Sequence, residues 1–303
     1  MSATDDIDDS AAPLIEHLAE LRTRLIRSVL AFVVGMIICF AFGSAILDFL
    51  LVPIEQTMRN LGNPNPVMQY TAPQEYFFTL IRISMVGGLA ISFPVIATQL
   101  WRFVAPGLYK NEKSAFLPFL IASPVLFLMG AAFAHYVVVP LAMQFFLGFS
   151  DAASYLAAVV ADGNGRKSGI DIVFNGKVNE SLDITLKMIV AFGLCFQLPV
   201  LLTLMGKAGL VTKEGLKNVR KYAVVGILVL AALVTPPDVV TQLILFVVVY
   251  GLYEISIFLV GRVEKQREAR LRAEGYYDDE EDDLLAEFDD ADADEITDED
   301  DLK

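Results

Sequence analysis

Residues 25–47 read LIRSVLAFVVGMIICFAFGSAIL, and this apolar stretch decides the class of fold. It is longer than the apolar part of a secretory signal peptide and other apolar runs follow it, so we interpret it as an uncleaved first membrane span. Because a bilayer offers no water to bond the backbone, a separate span has to be an α-helix. The stretch therefore predicts an all-α integral membrane protein.

Five further apolar segments give a predicted total of six transmembrane helices. Their approximate limits are 25–47, 78–100, 115–138, 184–205, 221–235 and 239–260. Pro94, Pro118 and Pro124 predict that several of these helices are kinked. The chain thus divides into an N-terminal segment, residues 1–24, a six-helix membrane domain, residues 25–260, and a tail, residues 261–303.

Charge separates the tail from the membrane domain. The formal net charge is −14, but residues 274–303 alone hold seventeen acids and one lysine, so the rest of the chain sums to about +2. Runs of like charge repel, which predicts that the tail is basic at its start and otherwise acidic and largely disordered. We favour a solubilising role for it over a specific partner site.

Lysine and arginine set the predicted orientation. Sixteen of them lie in the N-terminal segment, the second loop, the fourth loop and the start of the tail, against four in the first and third loops. Positive charge favours the cytoplasmic side, so both termini and the loop at 101–114 are expected in the cytoplasm. The first and third loops, 48–77 and 149–183, are then expected to form a cap on the outer face.

Spans five and six are predicted to be short. About fifteen residues at 1.5 Å each give roughly 22 Å, against a hydrocarbon core of about 30 Å, so both are expected to thin the bilayer locally.

Polar residues also occur inside the predicted spans. Arg82 and Lys187 can reach the interface, but Glu254 cannot. Gln197 either partners the carbonyl that Pro199 leaves without a helical donor or has a functional role.

The loop from Gln99 to Glu112, QLWRFVAPGLYKNE, is unusual for a connection between spans, because such loops are generally short and polar. It carries aromatic and apolar side chains beside a single carboxylate. These are Trp101, Phe103, Val104, Leu108, Tyr109 and Glu112. Apolar bulk with an acid at the rim of a bilayer suits the capture of a cationic peptide.

Several long motifs resemble the TatC family, the multi-spanning core of the twin-arginine protein translocase. They are HLAELRTRL at 17–25, the loop at 99–112, FAHYVVVPL at 133–141 and TPPDVVTQ at 235–242, and Glu254 falls in the family's sixth span. The resemblance covers about residues 13–262 and leaves the acidic tail outside. Gln197 departs from the family, whose members often carry an ionisable glutamate there.

The resemblance implies a receptor of the bacterial inner membrane, without enzymatic activity, that binds twin-arginine signal peptides and nucleates an oligomeric complex exporting folded proteins by the proton-motive force. It also implies the partners TatA and TatB, docked at spans five and six. A guanidinium pairs with a carboxylate through two parallel bonds, so two arginines need two fixed acceptors. We expect Glu20 and Glu112 to supply them, with Phe103 packing the apolar part of the peptide.

Other residues receive supporting roles. Arg22 is expected either to orient Glu20 or to anchor the first span to headgroups. Asp238 is expected to cap the last helix. A structural or partner-docking role is predicted for Pro53, Gln197, Asp238, Gln242 and Glu254.

An ion-coupled secondary transporter of a small molecule is the main alternative, although no internal repeat of the kind such proteins show is evident. An intramembrane enzyme is a weaker one, because His135 has no evident catalytic neighbour. Cys39 and Cys195 are interpreted as buried small hydrophobes, and His17 and His135 lack metal-ligand spacing. We predict no catalytic site, metal, cofactor or nucleic-acid partner.

Overall fold

The computed structural model describes the backbone of residues 5–104, 117–160, 176–235 and 238–273. These parts of the chain form ten α-helices, one π-helical turn and two short strands, which confirms the all-α class. The helices are α1 Asp5–Ala41, α2 Gly43–Asn60, α3 Glu75–Val104, α4 Leu117–Phe133, α5 Val139–Val160, α6 Val178–Cys195, α7 Leu198–Lys207, α8 Lys213–Asn218, α9 Arg220–Val234 and α10 Val239–Ala273.

Five helical stretches in these ranges are long and apolar enough to cross a membrane. They are Leu18–Ala41, Glu75–Phe103, Pro118–Phe149, Val178–Lys207 and Val239–Arg272. Helix α9 is apolar as well, but its 15 residues extend only about 22 Å, less than a hydrocarbon core of about 30 Å. The total of six complete spans stays a prediction.

Helix α10 corrects the expectation that span six is short. It runs for 35 residues without a break, past the predicted end at residue 260 and through the basic start of the predicted tail. Of the two spans expected to be short, only α9 is. The acidic residues 274–303 lie outside the described residues.

The third span is also longer than predicted. Helix α4 continues through the π-helical turn Ala134–Val138 into α5, which ends at Val160. Pro140 cannot donate a helical bond, and the wider turn just before it lets the helix continue instead of ending at residue 138. The start of the predicted third loop, up to residue 160, is therefore the end of this long helix.

The contact between α1 and α3 is built on glycines. A Cβ atom on Gly88 would lie 2.7 Å from the backbone nitrogen of Met36, and one on Gly35 would lie 2.9 Å from the carbonyl oxygen of Gly88. Further along, Gly87 packs against Cys39 of α1, and Gly43 at the start of α2 packs against Leu80 of α3. Residue numbers rise on α1 as they fall on α3, so the two helices are antiparallel and their register is fixed by backbone contact.

Helix α4 packs against α6 in a similar way. A Cβ atom on Gly130 would lie 2.5 Å from the carbonyl oxygen of Phe192, and Gly193 packs against the ring of Phe127. The Phe127 ring also stacks on Phe93 of α3, with ring centroids 4.1 Å apart. These fully or nearly buried aromatic rings join α3, α4 and α6 into one body.

The two predicted cap loops meet. Strand β1, Met68–Gln69, pairs in parallel with strand β2, Gly176–Lys177, although the strands are far apart in sequence. Helix α2 and this strand pair lie at the end of the bundle away from Glu20. We call the end that holds Glu20 and Phe103 the Glu20 side, and the end that holds Pro53 and the strands the Pro53 side.

Candidate functional site

The Glu20 carboxylate already holds a guanidinium. Its Oε1 atom accepts from Nε of Arg24 at 3.0 Å and also from Nη2 of the same side chain. The two residues are four apart on α1, the spacing at which helical side chains meet. Together with Ala19, Thr23 and Arg27 they line a shallow, open depression on the helix.

Arg22 does not make the local pair that was one of its two expected roles. Two residues away from Glu20, its side chain leaves the helix on a different face, and Arg24 forms the pair instead. Arg22 is exposed. Its other expected role, as an anchor to lipid headgroups, stays a prediction.

Phe103 lies at the same level as Glu20. Phe103 is fifteen residues after Gly88 on α3, and Glu20 is fifteen residues before Gly35 on α1. Because α1 and α3 are antiparallel with Gly35 and Gly88 in contact, equal steps along both helices end at the same height. These two predicted peptide-binding residues therefore lie at the same level of the bundle.

Glu112, the second predicted acceptor, falls in residues 105–116, outside the described residues. The joint use of Glu20 and Glu112 stays a prediction. Residues 99–104 were expected to belong to the same loop, but they are the last residues of α3. Trp101 is buried against Phe93 and Val200, so its ring stabilises the bundle and is not exposed for a ligand.

Gln197 bonds across to another helix. The Ser123 hydroxyl donates to Gln197 Oε1 at 2.6 Å, and Gln197 Nε2 donates to the Ser123 carbonyl oxygen at 2.8 Å. The prediction that Gln197 partners the carbonyl freed by Pro199 was wrong. The break between α6 and α7 turns the Gln197 amide toward α4 instead. An amide both donates and accepts, whereas an ionised carboxylate only accepts, so glutamine suits this reciprocal pair.

Glu254 is paired with Arg220. The Arg220 guanidinium donates to Glu254 Oε2 at 2.6 Å, and this bond ties the first turn of α9 to α10. The pair explains how an acid is tolerated at that depth, since the opposite charge offsets the cost of taking it from water. Whether Glu254 also docks a partner stays a prediction.

Asp238 caps α10. Its Oδ1 atom accepts from the backbone N–H of Thr241 at 2.6 Å, and its other oxygen accepts from the Thr241 hydroxyl. The backbone N–H of Gln242 bonds to the Asp238 carbonyl oxygen at 3.3 Å, which opens the helical ladder. Pro53 is buried inside α2, where its carbonyl oxygen accepts from the Thr57 hydroxyl at 2.8 Å. The docking roles predicted for these residues stay predictions.

On the Pro53 side the deep cations have acidic or amide partners. Arg82 Nη1 donates to Asn179 Oδ1 at 2.8 Å and lies 3.7 Å from Asp183, and Lys187 Nζ lies 2.6 Å from Asp183. These links hold α3 to α6. The sequence showed the cations near the ends of their spans but not these partners.

No group of three or more potential metal ligands occurs within the described part of the chain. His135 is buried and stacks on Phe49 with ring centroids 4.5 Å apart. Cys39 and Cys195 are buried and free, as expected of small hydrophobes.

Sequence reasoning missed three residues of these pairs: Arg24, Ser123 and Arg220. For Arg24 a signal was present, because glutamate followed by arginine four residues later on a helix predicts an ion pair. For Ser123 and Arg220 no local signal exists, since their partners are 74 and 34 residues away.

Known proteins resemble this chain over most of its length. The sequence model of the family described as TatC, Sec-independent protein translocase protein, matches residues 16–247. The TatC protein of Magnetococcus marinus is 44% identical over 266 residues, covering 88% of this chain and 90% of its own length. The TatC protein of Aquifex aeolicus is 38% identical, covering 86% of this chain and 99% of its own length.

A solved structure agrees with the fold. The crystal structure of the twin-arginine translocase receptor TatC superposes with a TM-score of 0.66 at 38% sequence identity. The match covers 82% of this chain and 99% of that one.

Proposed function

The chain belongs to the TatC family of Sec-independent protein translocase proteins, and we propose that it binds twin-arginine signal peptides at the Glu20 side of its bundle. Membership makes it a multi-pass membrane subunit of the twin-arginine translocase, its receptor core, and not an enzyme. A small-molecule transporter, the alternative that the sequence left open, is thereby set aside.

The observation that carries the proposed site is the guanidinium already bound to Glu20. Arg24 gives two donors, Nε and Nη2, to one oxygen of this carboxylate, Oε1, so Glu20 accepts a guanidinium, which is the group that a twin-arginine peptide offers. Phe103 lies at the same level of the bundle and is half-buried. Glu112 is proposed as the acceptor for the second arginine of the peptide.

The proposal places the Glu20 side in the cytoplasm, together with both termini. Cations cluster on this side at the start of α1, at the junction of α8 and α9, and along the end of α10. Cations on the Pro53 side are few, and Arg59, Arg82, Lys177 and Lys187 all have acidic neighbours. This asymmetry is the one that orients proteins in the inner membrane.

The proposal also assigns TatA and TatB to the hairpin of α9 and α10, with Asp238 and Gln242 at its turn, within an oligomeric complex. Helix α9 is too short to cross the hydrocarbon core fully, so the lipid beside it has to thin. Thin lipid at the docking place would help assembled partners weaken the bilayer. Adding one apolar turn to α9 is expected to reduce export; export at the normal rate would contradict this part of the proposal.

The experiment for the peptide site compares a twin-arginine signal peptide with its twin-lysine analogue, each titrated against the purified protein in detergent. We expect the arginine peptide to bind and the lysine peptide to bind at least about tenfold more weakly, since lysine cannot form the fork. Glu112→Ala is expected to abolish crosslinking of the arginine peptide to the loop at 101–114. Equal binding of the two peptides would overturn the proposed site.

A further inference from the structure

Arg24 occupies Glu20 in the way that a peptide arginine would have to. We propose that Arg24 competes with the peptide for Glu20: the peptide arginine displaces it, and Gln99 of α3 then receives its guanidinium. The proposal rests on the proposed function, in that Glu20 is the acceptor for the peptide. Beyond the proposed function, it names the group that has to leave Glu20, Arg24, and the residue that then binds this group, Gln99.

Gln99 is placed to receive Arg24. It lies eleven residues after Gly88 on α3, and Arg24 lies eleven residues before Gly35 on α1. Eleven residues are close to three full helical turns, so Gln99 shares the face of Gly88 and Arg24 shares the face of Gly35. Since Gly35 and Gly88 touch in an antiparallel pair, Gln99 and Arg24 face each other at one level.

The burial of both side chains agrees with this placement. Gln99 is 9% exposed and the Arg24 side chain is 18% exposed, although both lie near the end of the bundle. The Oε1 atom of Gln99 is buried without a hydrogen-bond partner among the described residues. A buried acceptor with no donor is unusual and costly, and a guanidinium is a strong donor for it.

The exchange leaves no group unpaired. In the resting protein Arg24 bonds Glu20, while Gln99 Oε1 has no hydrogen-bond partner within the described part of the chain. After the exchange the peptide arginine bonds Glu20, while Arg24 bonds Gln99. Without Gln99, a displaced and largely buried Arg24 would lose its acceptor, which would oppose peptide binding.

A resident arginine sets a cost that every peptide has to meet. Both donors of Arg24, Nε and Nη2, bond one oxygen of Glu20, Oε1, and these bonds have to break before a peptide side chain can take their place. This cost is the same for an arginine peptide and a lysine peptide. The difference between the two peptides comes from the bond that each makes to Glu20, where a lysine ammonium is only a point charge on a flexible stem.

The first test is the affinity for the twin-arginine peptide when Arg24 is replaced. Arg24→Gln removes the competing guanidinium, so we expect the arginine peptide to bind about tenfold more tightly. Arg24→Lys keeps a charged competitor with a weaker hold on Glu20 and is expected to give a smaller gain. Arg59→Gln, the same change in the glutamate–arginine pair on the Pro53 side, is the matched control and should leave the affinity unchanged.

Unchanged or weaker binding of the arginine peptide to Arg24→Gln would overturn the proposal, because a merely structural role for Arg24 predicts a loss of affinity and not a gain. Glu20→Gln separates this failure from failure of the proposed function. If Glu20→Gln leaves peptide binding intact, the proposed site itself is wrong; if it removes binding while Arg24→Gln gives no gain, only the exchange is wrong.

The second test is a double-mutant cycle between Arg24 and Gln99. Gln99→Leu removes the acceptor with little change in size, so we expect it to weaken the arginine peptide several-fold in the otherwise unchanged protein. In the Arg24→Gln background the same substitution is expected to have no effect, because no displaced guanidinium needs the acceptor. Equal losses in both backgrounds would show that Gln99 does not receive Arg24.

Discussion

The molecule contains two glutamate–arginine pairs of the same spacing, one at each end of the bundle. Glu20 and Arg24 lie on the Glu20 side and are 36% and 18% exposed, whereas Glu55 and Arg59 lie on the Pro53 side and are 50% and 54% exposed. Both are four residues apart on a helix. The difference is the neighbouring helix, since α3 covers the first pair while the second remains in solvent.

The contrast shows that an ion pair becomes a candidate site through its surroundings and not through its spacing. An exposed pair is screened and contributes little. A half-buried pair on a helix that packs closely against its neighbour is held in place. Its carboxylate can then be recognised by a ligand of the right shape. If burial against α3 is what distinguishes the two pairs, four substitutions should change peptide affinity or stability by different amounts.

The largest effect is expected from removing the acids themselves. Glu20→Gln should lower the affinity for a twin-arginine peptide by two orders of magnitude or more, because a half-buried charge that accepts two hydrogen bonds is lost from the site. Glu55→Gln, the matched change on the other side, should leave affinity unaltered. Titration of a labelled peptide by fluorescence anisotropy gives both values, and comparable losses in the two variants would show that the pairs do not differ.

A smaller but still large effect should follow from disturbing the α1–α3 contact. Gly88→Ala places a Cβ atom 2.7 Å from the Met36 nitrogen, so the helices have to separate, at a cost of about 1–3 kcal/mol. The site should then lose peptide affinity without any change to Glu20. Thermal unfolding in detergent together with peptide titration measures the two effects.

Gly226→Ala is the control for that substitution. A Cβ atom there meets nothing within 4 Å, so stability should be unchanged or slightly raised by the better helix propensity of alanine. Destabilisation of equal size in the two variants would mean that helix propensity, and not the contact, is being measured.

A third substitution tests whether a polar pair without charge, Ser123 with Gln197, contributes to stability. Ser123→Ala leaves Gln197 Oε1 without its hydroxyl donor and should destabilise the protein by about 1 kcal/mol. Peptide affinity should not change, because this pair joins α4 to the α6–α7 break and is remote from Glu20 along the chain. Unfolding in detergent reports the first value, and an altered peptide affinity would contradict the second.

The smallest effect is expected at the exposed pair. Arg59→Gln breaks the bond to Glu55 and should change stability by less than about 0.5 kcal/mol, with the residual effect disappearing at high salt. Unfolding measured at low and high ionic strength checks this. A loss above that value would show that the exposed pair contributes more than its surroundings predict.

Much of the fold could be predicted from the sequence. Each of the six apolar runs coincides with helix in the described part of the chain, although α2 was not predicted, and the proline-rich turn at 235–238 located the cap on α10. Helix ends were predicted less well: the third span passed residue 138, and α10 passed residue 260. Apolar runs report where a helix can be buried, but a helix continues into water or polar surroundings wherever its backbone bonds remain intact.

The candidate site was predicted only in part. Glu20 and Phe103 could be named from their motifs, and the structure brings them to one level. Arg24 was missed as the partner of Glu20, although a spacing of four residues on a helix predicts such a pair. Gln99 was assigned to a loop, although it is buried on α3.

The sequence by itself determined that this chain lies in a membrane as a set of α-helices, because in lipid each segment has to satisfy its own backbone. Only the tertiary structure decided which polar groups meet: Gln197 with Ser123, Arg220 with Glu254, and Arg82 with Asn179. Such pairings depend on the register between helices that are distant in sequence. That register is set by close backbone contacts at glycines, and no local pattern encodes which helix each glycine will touch.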